Sequence, residues 1–172
     1  MNERARKNSL RLPGYDYSRA GVYFITICVK DAEPMLGKIA NGKMQSNEYG
    51  RVAEDELLNT AEIRERLTID CYVIMPNHIH FIAIVGEPLP VGAAGAPPET
   101  LIKPLASPKN TQFIPKIVQE YKAAVTRKIG FSLWHRSYYD NIIRDDDQLE
   151  IIRHYIKTNP ATWEKDRFFC KL

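Results

Sequence analysis

The sequence predicts an α+β fold, one β-sheet with helices packed on it, and three observations predict it. Residues 21–29 (GVYFITICV) and 68–85 are rich in β-branched and aromatic side chains and read as strands. Two later segments, 113–130 and 145–159, place apolar residues at helical spacing. A length of 172 residues is enough to bury a core without disulfide or structural-metal support, and one sheet with its helices uses it up.

The elements follow in order. The first strand, 21–29, is predicted near the centre of the sheet because it is apolar on both faces. Asn41-Gly42, between short alternating segments within 36–45, is a strong hairpin signal. From Ser46 or Asn47 to about Thr60, Val52, Leu57 and Leu58 on a charged background predict an amphipathic helix capped by Asn47. The long β run from about Thr68 to Val85 is interrupted at Met75-Pro76-Asn77, where a proline without an amide hydrogen predicts a bend or bulge.

Prolines and glycines crowd residues 86–110, which read as a loop. Ile114, Ile117, Val118, Tyr121, Val125 and Ile129 then mark one face of a basic helix that Pro115 opens and Gly130 closes. A short strand near 138–144 precedes a helix capped by the Asp145-Asp146-Asp147 run, predicted to end near Asn159 because Pro160 follows. The whole chain, 1–172, reads as one domain with a basic N-terminal arm at about 1–18.

Hydrophobic residues make up 44% and charged residues 26%, the balance of a soluble globular protein. Cys28, Cys71 and Cys170 are odd in number and far apart, which argues against a disulfide framework or a thiolate zinc site and suits a reducing cytoplasm. No apolar run approaches the roughly 20 residues that cross a bilayer, and no secretory signal is recognised. The expected location is therefore cytoplasmic, at the nucleoid when bound to DNA. The net charge of +3 is unevenly spread: residues 1–30 carry six basic and two acidic side chains, 31–102 five and eleven, and 103–131 six and one. Two basic segments bracket an acidic middle, so one face can meet a phosphate-rich partner.

The chemistry centres on His78-Ile79-His80. Alternate residues of a strand share a face, so two imidazoles stand side by side and can hold one divalent metal, while Ile79 turns into the opposite layer. On the last helix, Tyr155 and Asn159 lie four residues apart, with β-carbons about 6 Å apart on one side. Each pair alone has an ordinary explanation, hydrogen-bonded histidines or a packed helix end. Together they suit a reaction in which a metal polarises a phosphoryl oxygen and a phenol attacks phosphorus. Tyr121 is a rival nucleophile by type but falls in a core stripe, and His154 points roughly 100° away from Tyr155. Lys116, Lys122, Arg127, Lys128 and His135, together with Arg4, Arg6, Lys7 and Arg11 of the N-terminal arm, are the candidate DNA contacts.

Met75-Pro-Asn-His-Ile-His-Phe81, Leu133-Trp-His-Arg-Ser-Tyr-Tyr-Asp140, Ile143-Arg144 and Tyr155-Ile-Lys-Thr-Asn-Pro160 resemble the single-tyrosine HUH transposases, in particular the REP-associated tyrosine transposases. Arg11-Leu-Pro-Gly-Tyr-Asp-Tyr17 and Tyr23-Phe-Ile-Thr-Ile-Cys28 extend the likeness over nearly the whole chain except the 86–110 loop. The resemblance implies a ferredoxin-like, palm-type antiparallel sheet flanked by helices, usually in a homodimer. It implies metal-dependent nicking and rejoining of single-stranded DNA beside a hairpin or inverted repeat, with Mg²⁺ or Mn²⁺ as cofactor. By motif position, His78 and His80 are metal ligands, Tyr155 is the nucleophile that forms a 5′-phosphotyrosine, and Asn159 is a third ligand where relatives carry Gln. A hairpin-binding protein that does not cleave, and a phosphodiesterase that uses water in place of tyrosine, are the competing expectations.

Overall fold

The computed structural model describes residues 20–86 and 113–169. The predicted N-terminal arm and nearly all of the proline-rich loop lie outside them. Six strands, β1 (Gly21–Cys28), β2 (Gly37–Ala40), β3 (Lys43–Ser46), β4 (Leu67–Met75), β5 (His78–Val85) and β6 (Tyr139–Ile143), alternate with helices α1 (Glu48–Glu62), α2 (Phe113–Ile129) and α3 (Asp146–Thr158). The main sheet has the order β4-β5-β1-β6, with every neighbouring pair antiparallel. Without the small β2–β3 hairpin and the final helix α3, the order of elements is β-α-β-β-α-β, with β5 inserted between β1 and β4. This is the ferredoxin-like, palm-type arrangement.

Two central strands separate two unlike layers. From β1, Tyr23, Ile25 and Ile27 are buried with Ile79, Phe81, Ala83 and Val85 of β5 against α1 and α2. The alternate residues Val22, Phe24, Ile82 and Ile84 pack with Leu149, Ile152, Tyr155 and Ile156 of α3 on the other face. Arg153 fastens α3 to the edge strand β4 through both carboxylate oxygens of Asp70, a two-pronged geometry that fixes orientation as well as distance.

Local chemistry explains the element ends. Asn41 and Gly42 adopt φ of 52° and 69°, the left-handed pair that a tight β2–β3 hairpin requires. The Asn47 side-chain oxygen accepts from the Gly50 amide at 3.0 Å and caps α1. A β-carbon at Gly50 would lie 2.1 Å from the Leu36 carbonyl oxygen, so only glycine lets α1 start this close to the chain entering β2. Asp145 caps α3 by accepting from Gln148 at 2.8 Å.

At Met75-Pro76-Asn77 the chain does more than bend. Met75 pairs with His78, so Pro76 and Asn77 form a two-residue turn that reverses β4 into β5, and the bulge falls instead between Ile69 and Cys71. The missing proline amide costs no ladder bond at a turn. Its carbonyl accepts from Leu36 at 2.9 Å and that of Asn77 accepts from Val29 at 2.8 Å, which ties the turn to the end of β1. No helix among the described residues is long and apolar enough to cross a membrane.

Candidate active site

The register of β5 sets the site. His80 lies opposite Thr26 and His78 opposite Cys28, and directly paired residues share a face. The Thr26 hydroxyl is 2.8 Å from His80 Nδ1 and leaves Nε2 turned towards α3. His78 Nδ1 is 2.8 Å from the Asn77 side-chain oxygen. Because the Asn77 amide nitrogen donates to the carbonyls of Ala32 (3.0 Å) and Phe168 (2.8 Å), its oxygen is the atom that faces the imidazole. An acceptor there places the proton of neutral His78 on Nδ1, so Nε2 carries a bare lone pair. It is buried and meets no hydrogen-bond partner among the described residues.

From α3, the Tyr155 hydroxyl comes within 3.1 Å of His80 Nε2. The helix does not stop cleanly at Asn159. That residue keeps α-helical angles, and a 3₁₀ segment, Asn159–Lys165, carries the chain back across the site. Its effect is to deliver Asp166, which the sequence reading did not single out.

Asp166 is the hub of the polar cluster. One carboxylate oxygen accepts from the Tyr155 hydroxyl at 2.7 Å and from the Asn159 amide nitrogen at 2.6 Å, and lies 3.9 Å from His80 Nε2. The other accepts from the Phe168 backbone at 2.7 Å. A carboxylate takes only donors, so the Asn159 nitrogen must face it, and the Asn159 oxygen is left buried without a partner among the described residues. His78, His80 and Asp166 offer ligand atoms that all lie within 4.8 Å of one another.

The electrostatics suit a cation. Burial lowers the pKa of His78, with His80 beside it adding to the effect, and burial also lowers that of His80 against the opposing pull of Asp166. Both imidazoles are thereby kept neutral, the form that ligates metal. Burial alone would raise Asp166, yet the nearby His80 ring and hydrogen bonds from Asn159, Tyr155 and the Phe168 backbone outweigh it and hold the carboxyl well below its usual range. Burial, then the Asp166 carboxylate, pushes the Tyr155 phenol upward. Two neutral imidazoles, an anionic carboxylate and two bare ligand atoms form a donor set into which a divalent ion fits.

The site is roofed by aromatic side chains. The Phe168 ring centre is 4.8 Å from that of His78, and Trp163 is 5.9 Å away. Arg167 lies over Phe168 and Tyr139, at 4.5 and 4.9 Å from the ring centres. His78 and His80 are 0% and 1% exposed, so the imidazoles are shut off from solvent.

The structure thus brings His78, His80, Tyr155 and Asn159 together. The other candidate residues lie elsewhere. Helix α2 is on the opposite face of the sheet, where Lys116 pairs with Glu120 and Lys128 with Glu56. Lys122 donates to the carbonyls of His135, Arg136 and Ser137. Arg127 and His135 are exposed on that face, His135 accepting from the Ser137 amide at 3.2 Å. Arg4, Arg6, Lys7 and Arg11 lie outside the described residues. Tyr121, the rival phenol, is buried in the α1–α2 layer and donates to the Ala53 carbonyl.

No family model matches the chain. An uncharacterised protein of Haemophilus influenzae (strain ATCC 51907 / DSM 11121 / KW20 / Rd) is 38% identical over 168 residues, spanning 95% of this chain and 93% of the relative. The chain belongs to the family of that protein. Among solved structures, a REP-associated tyrosine transposase bound to a REP hairpin superposes with a TM-score of 0.60 at 16% identity, covering 89% of this chain and 73% of the other. At that identity the likeness establishes a shared fold. The chain thus combines a palm-type fold with a histidine–histidine–aspartate cluster that could hold a metal ion.

Proposed function

We propose that this protein nicks and rejoins single-stranded DNA beside a hairpin, through a covalent 5′-phosphotyrosine at Tyr155. The observation that carries the reading is the 3.1 Å approach of the Tyr155 hydroxyl to His80, beside the bare nitrogen of His78. The sequence resemblance to HUH transposases and the shared fold with a hairpin-bound transposase support it.

His78, His80 and Asp166, with the bare oxygen of Asn159, would hold Mn²⁺ or Mg²⁺. When bound, the cation supplies positive charge that polarises a phosphoryl oxygen. The chain's own residues do the rest. Thr26 and Asn77 fix the two rings, and Asp166 orients both the phenol and the Asn159 amide. The Tyr155 oxygen forms a bond to phosphorus as the bond to the 3′-oxygen breaks. The phenolic proton ends on the departing 3′-oxygen, which leaves as a 3′-hydroxyl. One phosphoester replaces another, so rejoining runs the same step backwards without ATP. The approach of Tyr155 to His80 of its own chain supports assembly of the site in cis. For a DNA phosphate to enter, the segment carrying Phe168 has to shift from its place over His78.

The test is Tyr155→Phe, incubated with metal and a set of single strands that carry a hairpin. The wild type should form a covalent protein–DNA adduct and the variant none, while hairpin binding persists. Nicking with free ends by the variant would select a water-activated phosphodiesterase. Binding without metal-dependent nicking by the wild type would select a hairpin-binding protein.

A further inference from the structure

On the face of the sheet remote from Tyr155, a cleft of about 410 Å³ opens between the C-terminal half of α2 and the segment that leads into β6. Thr126, Arg127, Ser132, Trp134, His135 and Arg136 face it, and no acidic side chain does. Arg127 and Arg136 are exposed, and among the described residues no carboxylate pairs with either. Trp134 is 6% exposed, yet its indole N–H has no acceptor among the described residues. A cleft lined by a buried donor without an acceptor and by two guanidinium groups without carboxylate partners is a place that favours an anion.

The cleft has a fixed frame. Lys122 directs its ammonium group at the carbonyl oxygens of His135 (2.9 Å), Arg136 (3.4 Å) and Ser137 (2.9 Å), which holds the segment in one shape. Burial lowers the Lys122 pKa to about 8, so this lysine serves better as a brace than as a phosphate contact. The segment also rides on the end of β1: His135 donates to the Cys28 carbonyl at 2.9 Å, and Lys30 donates to that of Leu133 at 2.8 Å. Cys28 is the register partner of His78. The cleft and the candidate active site therefore share one end of the sheet, on opposite faces.

We infer that this cleft is a second phosphate site, in which Arg127, Arg136 and the Trp134 indole hold the phosphodiester backbone of the same DNA that reacts at Tyr155. DNA held there and turned over the end of β1 arrives at His78. The inference rests on the single-strand DNA reading, and its test separates the two.

Full-length protein is titrated, with EDTA present, into a fluorescent hairpin oligonucleotide with a single-stranded flank, at several salt concentrations. The double variant Arg127→Ala/Arg136→Ala should bind roughly tenfold more weakly near 0.1 M salt. Its slope of log affinity against log salt should fall by about 1.4, the loss of two single-strand phosphate contacts. Arg127→Lys/Arg136→Lys should restore most of the slope, since charge is what the slope reads. Lys38→Ala, an exposed residue of β2 outside the cleft, should match the wild type. An unchanged slope in the alanine variant, with melting temperature preserved, overturns the inference whether or not Tyr155 forms an adduct. A lowered slope supports it even where no adduct forms, an outcome that would count against the nicking reading alone.

Discussion

The two faces of β5 are built from alternate residues of one eight-residue strand, yet they differ in kind. Ile79, Phe81, Ala83 and Val85 enter a predominantly apolar layer beneath α1 and α2. On the other side, Ile82 and Ile84 pack under α3, but the first two positions are histidines whose neighbours are Thr26, Tyr155 and Asp166. Bare buried nitrogen and oxygen atoms, at His78 and Asn159, occur on this second face. Such atoms each forgo a hydrogen bond, at about 1–3 kcal/mol apiece. The contrast shows how a strand can separate two roles, with one face filling the core while the other gathers polar groups that could hold a metal ion.

Substitutions should split along this line. Phe81→Ala, on the supporting face, should lower the free energy of unfolding by about 3–5 kcal/mol by leaving a cavity, read by urea denaturation. Asp166→Ala, on the other face, should weaken Mn²⁺ binding roughly 10–100-fold through loss of a carboxylate and of the Asn159 clamp, read by calorimetric titration. Equal Mn²⁺ affinity in that variant would remove Asp166 from the site. Thr26→Val, which deletes only the hydroxyl behind His80, should weaken the same binding by about tenfold with Phe24 packing intact.

Acid should act through the histidine face. His78 and His80 titrate below their ordinary value in the folded chain, so below about pH 6.5 the unfolded chain binds protons that the folded chain refuses. Stability should be level above that pH and fall below it, by up to about 1.4 kcal/mol per pH unit for each imidazole. Asp166, held low, adds stability that is lost only in a more acid window, below about pH 4. Denaturation curves at pH 7.5 and 5.5 that coincide would show that the rings are not held neutral. The smallest effect is expected from Asp145→Ala, which removes the α3 cap at a cost of about 1 kcal/mol and should leave metal affinity alone.

Much of this arrangement was legible in the sequence because it is local. Asn41-Gly42, the Asn47 and Asp145 caps and the Ile117/Tyr121/Val125 stripe each depend on neighbours a few residues away, and each appears as expected. The His78/His80 pair is visible for the same reason, since strand alternation alone puts both rings on one side. Asp166 was not legible. It reaches Tyr155 only because the 3₁₀ segment from Asn159 folds back, and one acid in the charged run Glu164-Lys165-Asp166-Arg167 has no periodicity to betray it. Nor could composition tell that Lys122 is spent on carbonyl groups or that α2 lies across the sheet from Tyr155. Both follow from tertiary packing. The same packing turned the proline at position 76 from an expected irregularity into a hairpin turn.

The account's central claim is that Tyr155, among the tyrosines of the described residues, is the one placed to attack DNA. Mapping the covalent linkage tests it most directly: the wild-type protein is incubated with Mn²⁺ and a hairpin-bearing single strand, digested, and the DNA-linked peptide identified by mass spectrometry. The account predicts a nucleotide joined through its 5′-phosphate to Tyr155. A linkage at Tyr121, Tyr139 or any other residue would contradict it.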